Sequence, residues 1–180
     1  LLLSSSSSAA TTTMTQQQYP PPSPPAYLEL MLKLAEMPRW GPCTEARTRA
    51  FAAVWSLASE DPSSHYVLID MGFARSSADV AGAQTAPPRA RGFAAGLMML
   101  LVTQSTQGLA DAGGWSRVED VLISLASSGD EQLVLQGCRA MAWVVYHREG
   151  SGSVAAARSL AEKGAVSAAL TTLFRAHGAF

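Results

Sequence analysis

One short helical phrase occurs three times along this chain. The first copy is Arg49-Ala-Phe-Ala-Ala-Val-Trp-Ser-Leu57, the second is Arg91-Gly-Phe-Ala-Ala-Gly-Leu-Met-Met99, and the third is Gln136-Gly-Cys-Arg-Ala-Met-Ala-Trp-Val144. The copies begin 42 and then 45 residues apart. In each copy the second residue is Ala or Gly and the fifth is Ala, so one side of each helix allows another helix to approach closely. The phrase therefore predicts stacked helical units.

A second phrase, Leu-[Ala/Ile]-[Asp/Glu]-x-Gly, alternates with the first and ends at Gly72, Gly113 and Gly164. Each glycine lies between two predicted helices, where a left-handed backbone costs other residues roughly 1–2 kcal/mol. The helix after Gly113 is predicted to bury Val118, Val121, Leu122 and Leu125. Before the second copy, residues 86–91 contain two prolines and are predicted to shorten the helix that follows. Two phrases alternating at a period near 40 to 47 residues are typical of helical repeat proteins.

Composition excludes several classes of function. The chain has 180 residues and a net charge of −1, so it has no strong electrostatic bias toward nucleic acid or an anionic membrane. Its longest apolar run, 97–102, is far shorter than the roughly 20 residues of a membrane span. Two cysteines, Cys43 and Cys138, make no disulfide framework, and reduced thiols are expected. We expect an intracellular protein of the cytoplasm or nucleus.

Residues 1–26 carry no charge and consist largely of Ser, Thr, Gln and Pro. Such a segment buries too little apolar surface to offset its ordering entropy, so a disordered linker is predicted. Its prolines, within 20–25, favour an extended polyproline-like conformation. The chain begins at Leu1 rather than Met, which suggests a fragment or a true start at Met14.

These phrases together resemble the three helices of an armadillo repeat. The first helix closes on Leu-[Ala/Ile]-[Asp/Glu]-x-Gly, the second begins Gly164-Ala-Val-Ser-Ala-Ala-Leu-x-x-Leu173, and the third has a core such as Gln136-Gly-Cys-Arg-Ala-Met-Ala142. The match covers about 27–180 and is best over 130–174. It implies an all-α, right-handed armadillo-type solenoid, with a HEAT-like solenoid as the alternative. The implied units are a partial repeat 27–59, repeats at about 62–103 and 104–148, and a partial repeat 153–180.

The resemblance also implies a concave groove, lined by third helices, that holds an extended peptide. Arg139, Trp143 and His147 are spaced i, i+4 and i+8 and form one stripe where that surface is expected. The groove is predicted to be completed by Met98, Arg91, Arg49 and Ser56. The alternatives are that Trp143 packs under the next repeat and that the arginines are only solvated. Trp55 is expected in the core or between repeats.

Nuclear-import members of the family grip peptide backbone with a Trp and, four residues later, an Asn. The aligned pairs in this chain are Ala52 and Ser56, Ala94 and Met98, and Arg139 and Trp143. None of these pairs matches, and the chain contains no asparagine. A nuclear-transport adaptor is therefore disfavoured.

No catalytic or cofactor motif accompanies the repeats. His65, His147 and His177 are isolated from one another, and no pair has metal-ligand spacing. No phosphate-binding glycine loop or nucleophile elbow is present, so we expect no enzyme activity, no cofactor and no metal.

The sequence thus predicts a non-catalytic scaffold that binds a protein or an extended peptide segment, with no nucleic-acid partner and no membrane span. A structural helical arm of a larger enzyme or ubiquitin-ligase-type protein is the alternative. Because two complete repeats bury little surface between neighbours, marginal stability and self-association through the terminal repeats are also expected.

Overall fold

The computed structural model describes residues 26–36, 44–147 and 151–176, and these residues form α-helices without any β-strand. The helices in chain order are α1 (Ala26–Ala35), α2 (Thr44–Glu60), α3 (Ser64–Asp70), α4 (Phe73–Gly82), α5 (Pro88–Gln104), α6 (Thr106–Asp111), α7 (Gly114–Ala126), α8 (Glu131–His147), α9 (Ser151–Glu162) and α10 (Ala165–Ala176). The predicted all-α class is confirmed. The predicted linker 1–26 lies outside the described residues except for Ala26. Met14, the suggested start, and Cys43 lie outside them as well.

The helices pack in rows. The three long helices form one row, in which α2 packs on α5 and α5 on α8. Helices α1, α4, α7 and α10 form a second row, and each packs on the next. The two rows face each other through the pairs α1–α2, α4–α5 and α7–α8, while the short helices α3 and α6 contact one another. Successive helix groups therefore bury their apolar faces against their neighbours.

A continuous core lies between these rows. It includes Phe51 of α2, Leu97 and Leu101 of α5, and Leu122 of α7, all almost fully buried. The four residues predicted for the buried face of α7, Val118, Val121, Leu122 and Leu125, are all buried. The periodicity of apolar residues thus gave the correct face of this helix.

The three glycines of the second phrase have the predicted backbone conformation. Gly72, Gly113 and Gly164 have φ values of 87°, 94° and 89°, and each lies between the helix that ends and the helix that begins. A side chain at these positions would strain the backbone. The glycines therefore set the turn within each helix group.

The register of the repeat differs from the one that residue identities suggested. Helices α2, α5 and α8 are each 17 residues long and begin at residues 44, 88 and 131, so successive starts are 44 and 43 residues apart. The spacings of 42 and 45 placed the second copy two residues out of register. With the helix starts aligned, Arg47 is equivalent to Arg91, and both side chains are buried.

Helix α5 is not shortened, contrary to the expectation from residues 86–91. Pro88 occupies its first position, where the missing N–H has no partner to lose and the fixed φ suits a helix. The prolines therefore start the helix without reducing its length. None of the described helices combines the length and apolar character needed to cross a membrane.

Candidate binding groove

A largely apolar cavity of about 400 Å³ opens on the row of long helices. It is bounded by the second half of α2, the second half of α5 and the middle of α8. Its lining residues are Trp55, Ser59, Ala95, Gly96, Met99, Leu100, Thr103, Gln104, Gln136, Arg139, Ala140 and Trp143. Its volume lies within the range of about 300–1,000 Å³ that is common for binding pockets.

Trp55 forms one wall of the cavity, and Gly96 of α5 leaves the space for its ring. The Trp55 indole lies against Gly96, where an added Cβ would be only 2.7 Å from Trp55 Nε1. The same ring meets Phe93, with ring centroids 5.8 Å apart and planes tilted by 44°. Trp55 nevertheless remains 37% exposed, so one part of the indole packs on α5 and another part faces the groove.

Helix α8 supplies the opposite wall. Arg139 and Trp143 are one helical turn apart and both line the cavity. Arg139 is exposed, and Trp143 is 38% exposed. Among the described residues that line the cavity, Arg139 is the single charged side chain. The cavity thus combines two indole rings with one guanidinium, a composition that suits an uncharged or mildly acidic ligand.

A second cavity of about 320 Å³ continues the groove toward the start of the long helices. It shares Trp55 and Gln136 with the first cavity and adds Arg89 and Asp130, among other residues. Between the two, the Gln136 side-chain amide donates a hydrogen bond of 2.7 Å to the Gly92 carbonyl. This bond fixes α8 against α5 and divides the groove into two compartments.

Two residues predicted for the groove lie in the core instead. Met98 has no exposed surface, and Arg91 is 5% exposed. Arg91 donates from Nε to the Ala81 carbonyl at 3.0 Å and from a terminal nitrogen to Ser124 Oγ at 3.2 Å. Burial lowers the pKa of Arg91, and the charge of Asp130 partly opposes that shift. Arg91 therefore connects α4, α5 and α7, and neither residue contributes to the surface.

Two other predicted residues, Arg49 and Ser56, do not line the cavity, and the side chain of a third, His147, is not described. Arg49 is exposed and pairs with Glu45 at 2.9 Å, one turn earlier on the same helix. Ser56 is exposed on α2, and it is absent from the residues that line either cavity. His147 is the last residue of α8, and its side chain lies outside the described part of the structure. Of the seven predicted residues, the structure brings Arg139 and Trp143 together in the cavity.

Aligning the starts of the three long helices identifies groove residues of α5 that the comparison of residue identities missed. Ala52, Gly96 and Arg139 occupy the ninth position of the three long helices, and Ser56, Leu100 and Trp143 occupy the thirteenth. The α5 members of these groups are Gly96 and Leu100 rather than Ala94 and Met98. Both Gly96 and Leu100 line the cavity. The signal that could have located them is the spacing of equal-length helices.

The described histidine with a defined partner has a structural role. His65 is buried, and its Nε2 lies 2.7 Å from the Ala58 carbonyl near the end of α2. Across the described ranges, no group of three or more His, Cys, Asp or Glu side chains is arranged to hold a metal ion. Cys138 of α8 is a free, half-buried thiol.

A second apolar surface lies at the other side of α8. A cavity of about 650 Å³ is lined by residues of α8, α9 and α10, among them Cys138, Val145, Leu160 and Val166. Val166 and Leu170 are about half exposed. This surface is separate from the groove that contains Arg139 and Trp143.

Comparisons of the chain with protein-family models, with curated proteins and with solved structures give no significant match in any of the three. The class of this protein therefore rests on its own helix order and on the groove described above.

Proposed function

We propose that this chain is a non-catalytic binding module of the armadillo type, which holds an extended peptide segment of a partner protein along α2, α5 and α8. The helix order supports this class. A short, a medium and a long helix follow one another as α3, α4 and α5, and again as α6, α7 and α8, with a left-handed glycine after each short helix. A right-handed superhelix of such units is part of the proposal.

The observation that carries the binding proposal is the cavity between Trp55 and Trp143 with Arg139 at its side. Trp and Arg are the residues most enriched at the energetic centres of protein interfaces. Both indoles retain more than a third of their surface, so a ligand can bury that surface without opening the core. Arg139 can donate charge-assisted hydrogen bonds to a peptide carbonyl or carboxylate.

A peptide-display selection on the full chain tests this proposal. Selected peptides are measured against the chain carrying both Arg139→Ala and Trp143→Ala. The matched control carries Arg49→Ala and Ser56→Ala, which change exposed residues of the same helix row outside the cavity. Both variants are first checked for retained helical circular dichroism.

We expect the groove variant to lose about 30-fold or more in affinity, the equivalent of a 2 kcal/mol hot spot, and the control to lose little. Selected peptides that bind both variants as tightly as the wild type would contradict the groove proposal. A selection that returns no binding peptide would contradict it as well.

A further inference from the structure

The indole N–H of Trp55 lies beside Gly96, and both residues line the groove. Among the described residues, no hydrogen-bond acceptor pairs with this N–H. Across the cavity stands the second exposed indole, Trp143, with Arg139 one turn before it. Grooves lined by aromatic side chains are the surfaces on which several peptide-binding domains hold polyproline helices.

Polyproline ligands suit this groove for a physical reason. A polyproline II helix makes no internal hydrogen bonds, so its carbonyls remain available to donors such as an indole N–H or a guanidinium. Its rings pack on aromatic faces, and its rigid backbone loses little entropy on binding. An uncharged proline segment also leaves no ion to be desolvated in a cavity whose lining contains one charge.

The chain itself contains such a segment. Residues 19–25 read Tyr-Pro-Pro-Pro-Ser-Pro-Pro and hold five of the ten prolines of the sequence. They carry no charge and directly precede α1, which packs against α2. Seven residues in the polyproline conformation span about 22 Å, and packed helices are about 8–10 Å apart. The segment is therefore about twice as long as one helix spacing, so it can cross α2 with roughly half of its length left for the groove.

We propose that the groove between Trp55 and Trp143 binds proline-rich extended segments, and that residues 19–25 of the same chain are its occupant. This inference rests on the proposed function, because it names the chemistry of the peptide that the groove holds. The tethered segment competes with any other ligand. An effective concentration near 1 mM against an intrinsic Kd of about 100 µM weakens a competing peptide by about ten-fold.

The test uses the full chain and a synthetic peptide with the sequence of residues 16–25. In the test variant the prolines at 20, 21, 22, 24 and 25 are replaced by serine. The matched control replaces Ser4–Ser8 by alanine, which makes five changes in the same region and keeps the prolines. Binding is followed by NMR through the indole N–H signals, with Trp55→Phe and Trp143→Phe used to assign them.

We expect the peptide to bind the proline-free chain about ten-fold more tightly than the wild type or the control, and to shift the Trp55 and Trp143 signals. Equal affinity for all three chains would overturn the occupancy by residues 19–25. Absence of any shift in the proline-free chain would overturn the choice of ligand. If display nevertheless selects proline-free peptides that need Arg139 and Trp143, the proposed function stands and only this inference fails.

Discussion

The indole of Trp55 packs on the bare backbone of Gly96. A Cβ at residue 96 would lie 2.7 Å from Trp55 Nε1 and 3.1 Å from Cδ1, so the indole would have to move to accept it. The contact joins α2 to α5 at the floor of the cavity that both residues line. The position of the Trp55 wall therefore depends on the absence of a side chain in the neighbouring helix.

Replacing Gly96 by alanine should damage binding more than stability. The added methyl group displaces the partly exposed indole, while alanine favours the helix by up to about 1 kcal/mol relative to glycine. We expect an unfolding free energy within about 1 kcal/mol of the wild type and a loss of ten-fold or more in peptide affinity. Titration calorimetry and urea denaturation measure the two quantities.

The control for this substitution is Gly82→Ala at the end of α4. An added Cβ there meets Val121 Cγ2 at 3.4 Å, an ordinary contact, and neither residue is among those that line the cavity. Unchanged affinity in the Gly96→Ala chain would show that Trp55 does not position the ligand.

At Gly137, in contrast to Gly96, substitution by alanine should lower the stability of the fold. A Cβ at this position of α8 would lie 2.7 Å from the Ala126 nitrogen and 2.9 Å from the Leu122 carbonyl oxygen. Both are backbone atoms of α7, so α7 and α8 must separate to accept a methyl group. We expect Gly137→Ala to lower the unfolding free energy by about 1–3 kcal/mol in urea denaturation. Gly129→Ala, where nothing lies within 4 Å, serves as the control, and equal stability of the two variants would refute close helix packing at Gly137.

Local patterns in the sequence predicted much of this fold. The glycines that end the second phrase, such as Gly72, have their left-handed conformation because no other residue adopts it cheaply. The buried face of α7 followed from apolar spacing because an isolated amphipathic helix has one obvious core side. Both features depend on residues close together in the chain, which is why they could be predicted.

The groove could be predicted only in part, because it depends on register between distant helices. Residue identity aligned Arg91 with Arg49, whereas the helix starts align it with Arg47 in the core. In a helix with 3.6 residues per turn, a two-residue error rotates a side chain by about 200° and moves it to the opposite face. Trp55 was expected in the core or between repeats, and it does contact Phe93, but its remaining surface faces the cavity.

The left-handed glycines give a prediction about backbone strain alone. Nothing lies within 4 Å of an added Cβ at Gly72 or Gly164, so alanine there meets no steric neighbour. Each Gly→Ala substitution should lower the unfolding free energy by about 1–2 kcal/mol through the φ angle. At Gly113 the Cβ would also lie 2.6 Å from Arg117 Cδ, so the loss there should be equal or larger. Thermal and urea unfolding of the three variants measures these losses. A Gly72→Ala chain as stable as the wild type would contradict the prediction.

Substitutions of Arg91 and Arg49 should differ in their effect on stability and leave peptide binding unchanged. Arg91→Met removes one buried and one partly buried hydrogen bond and leaves the Ala81 carbonyl without this donor, which should cost about 2–4 kcal/mol. Arg49→Met removes an exposed i, i+4 ion pair and should change stability by less than about 0.5 kcal/mol. Neither variant should alter the peptide affinity of the folded chain. A stable Arg91→Met protein with weakened peptide binding would instead return Arg91 to the binding surface.

The ion pairs of Lys163 should make the protein lose stability at alkaline pH. Its ammonium group lies 2.9 Å from Asp120 Oδ1 and 3.3 Å from Oε2 of the buried Glu119, and it donates to the Ser116 carbonyl at 2.7 Å. Partial desolvation lowers the pKa of Lys163, but the hydrogen bonds and charges of Asp120 and Glu119 outweigh it and raise the pKa above its ordinary value of 10.5. Because the folded pKa is the higher one, the stabilisation is fully present below the unfolded pKa and disappears as pH rises through the folded pKa.

The unfolding free energy of the wild type should therefore fall more steeply than that of Lys163→Met between about pH 10 and 12. The other lysine of the chain, the exposed Lys33, provides the control, and Lys33→Met should keep the wild-type slope. Urea denaturation at a series of pH values measures these slopes, and the tyrosines, which also titrate there, cancel in the difference between chains. If the unfolding free energies of the wild type and Lys163→Met run parallel with pH, the charge of Lys163 does not stabilise the contact between the α9–α10 turn and α7.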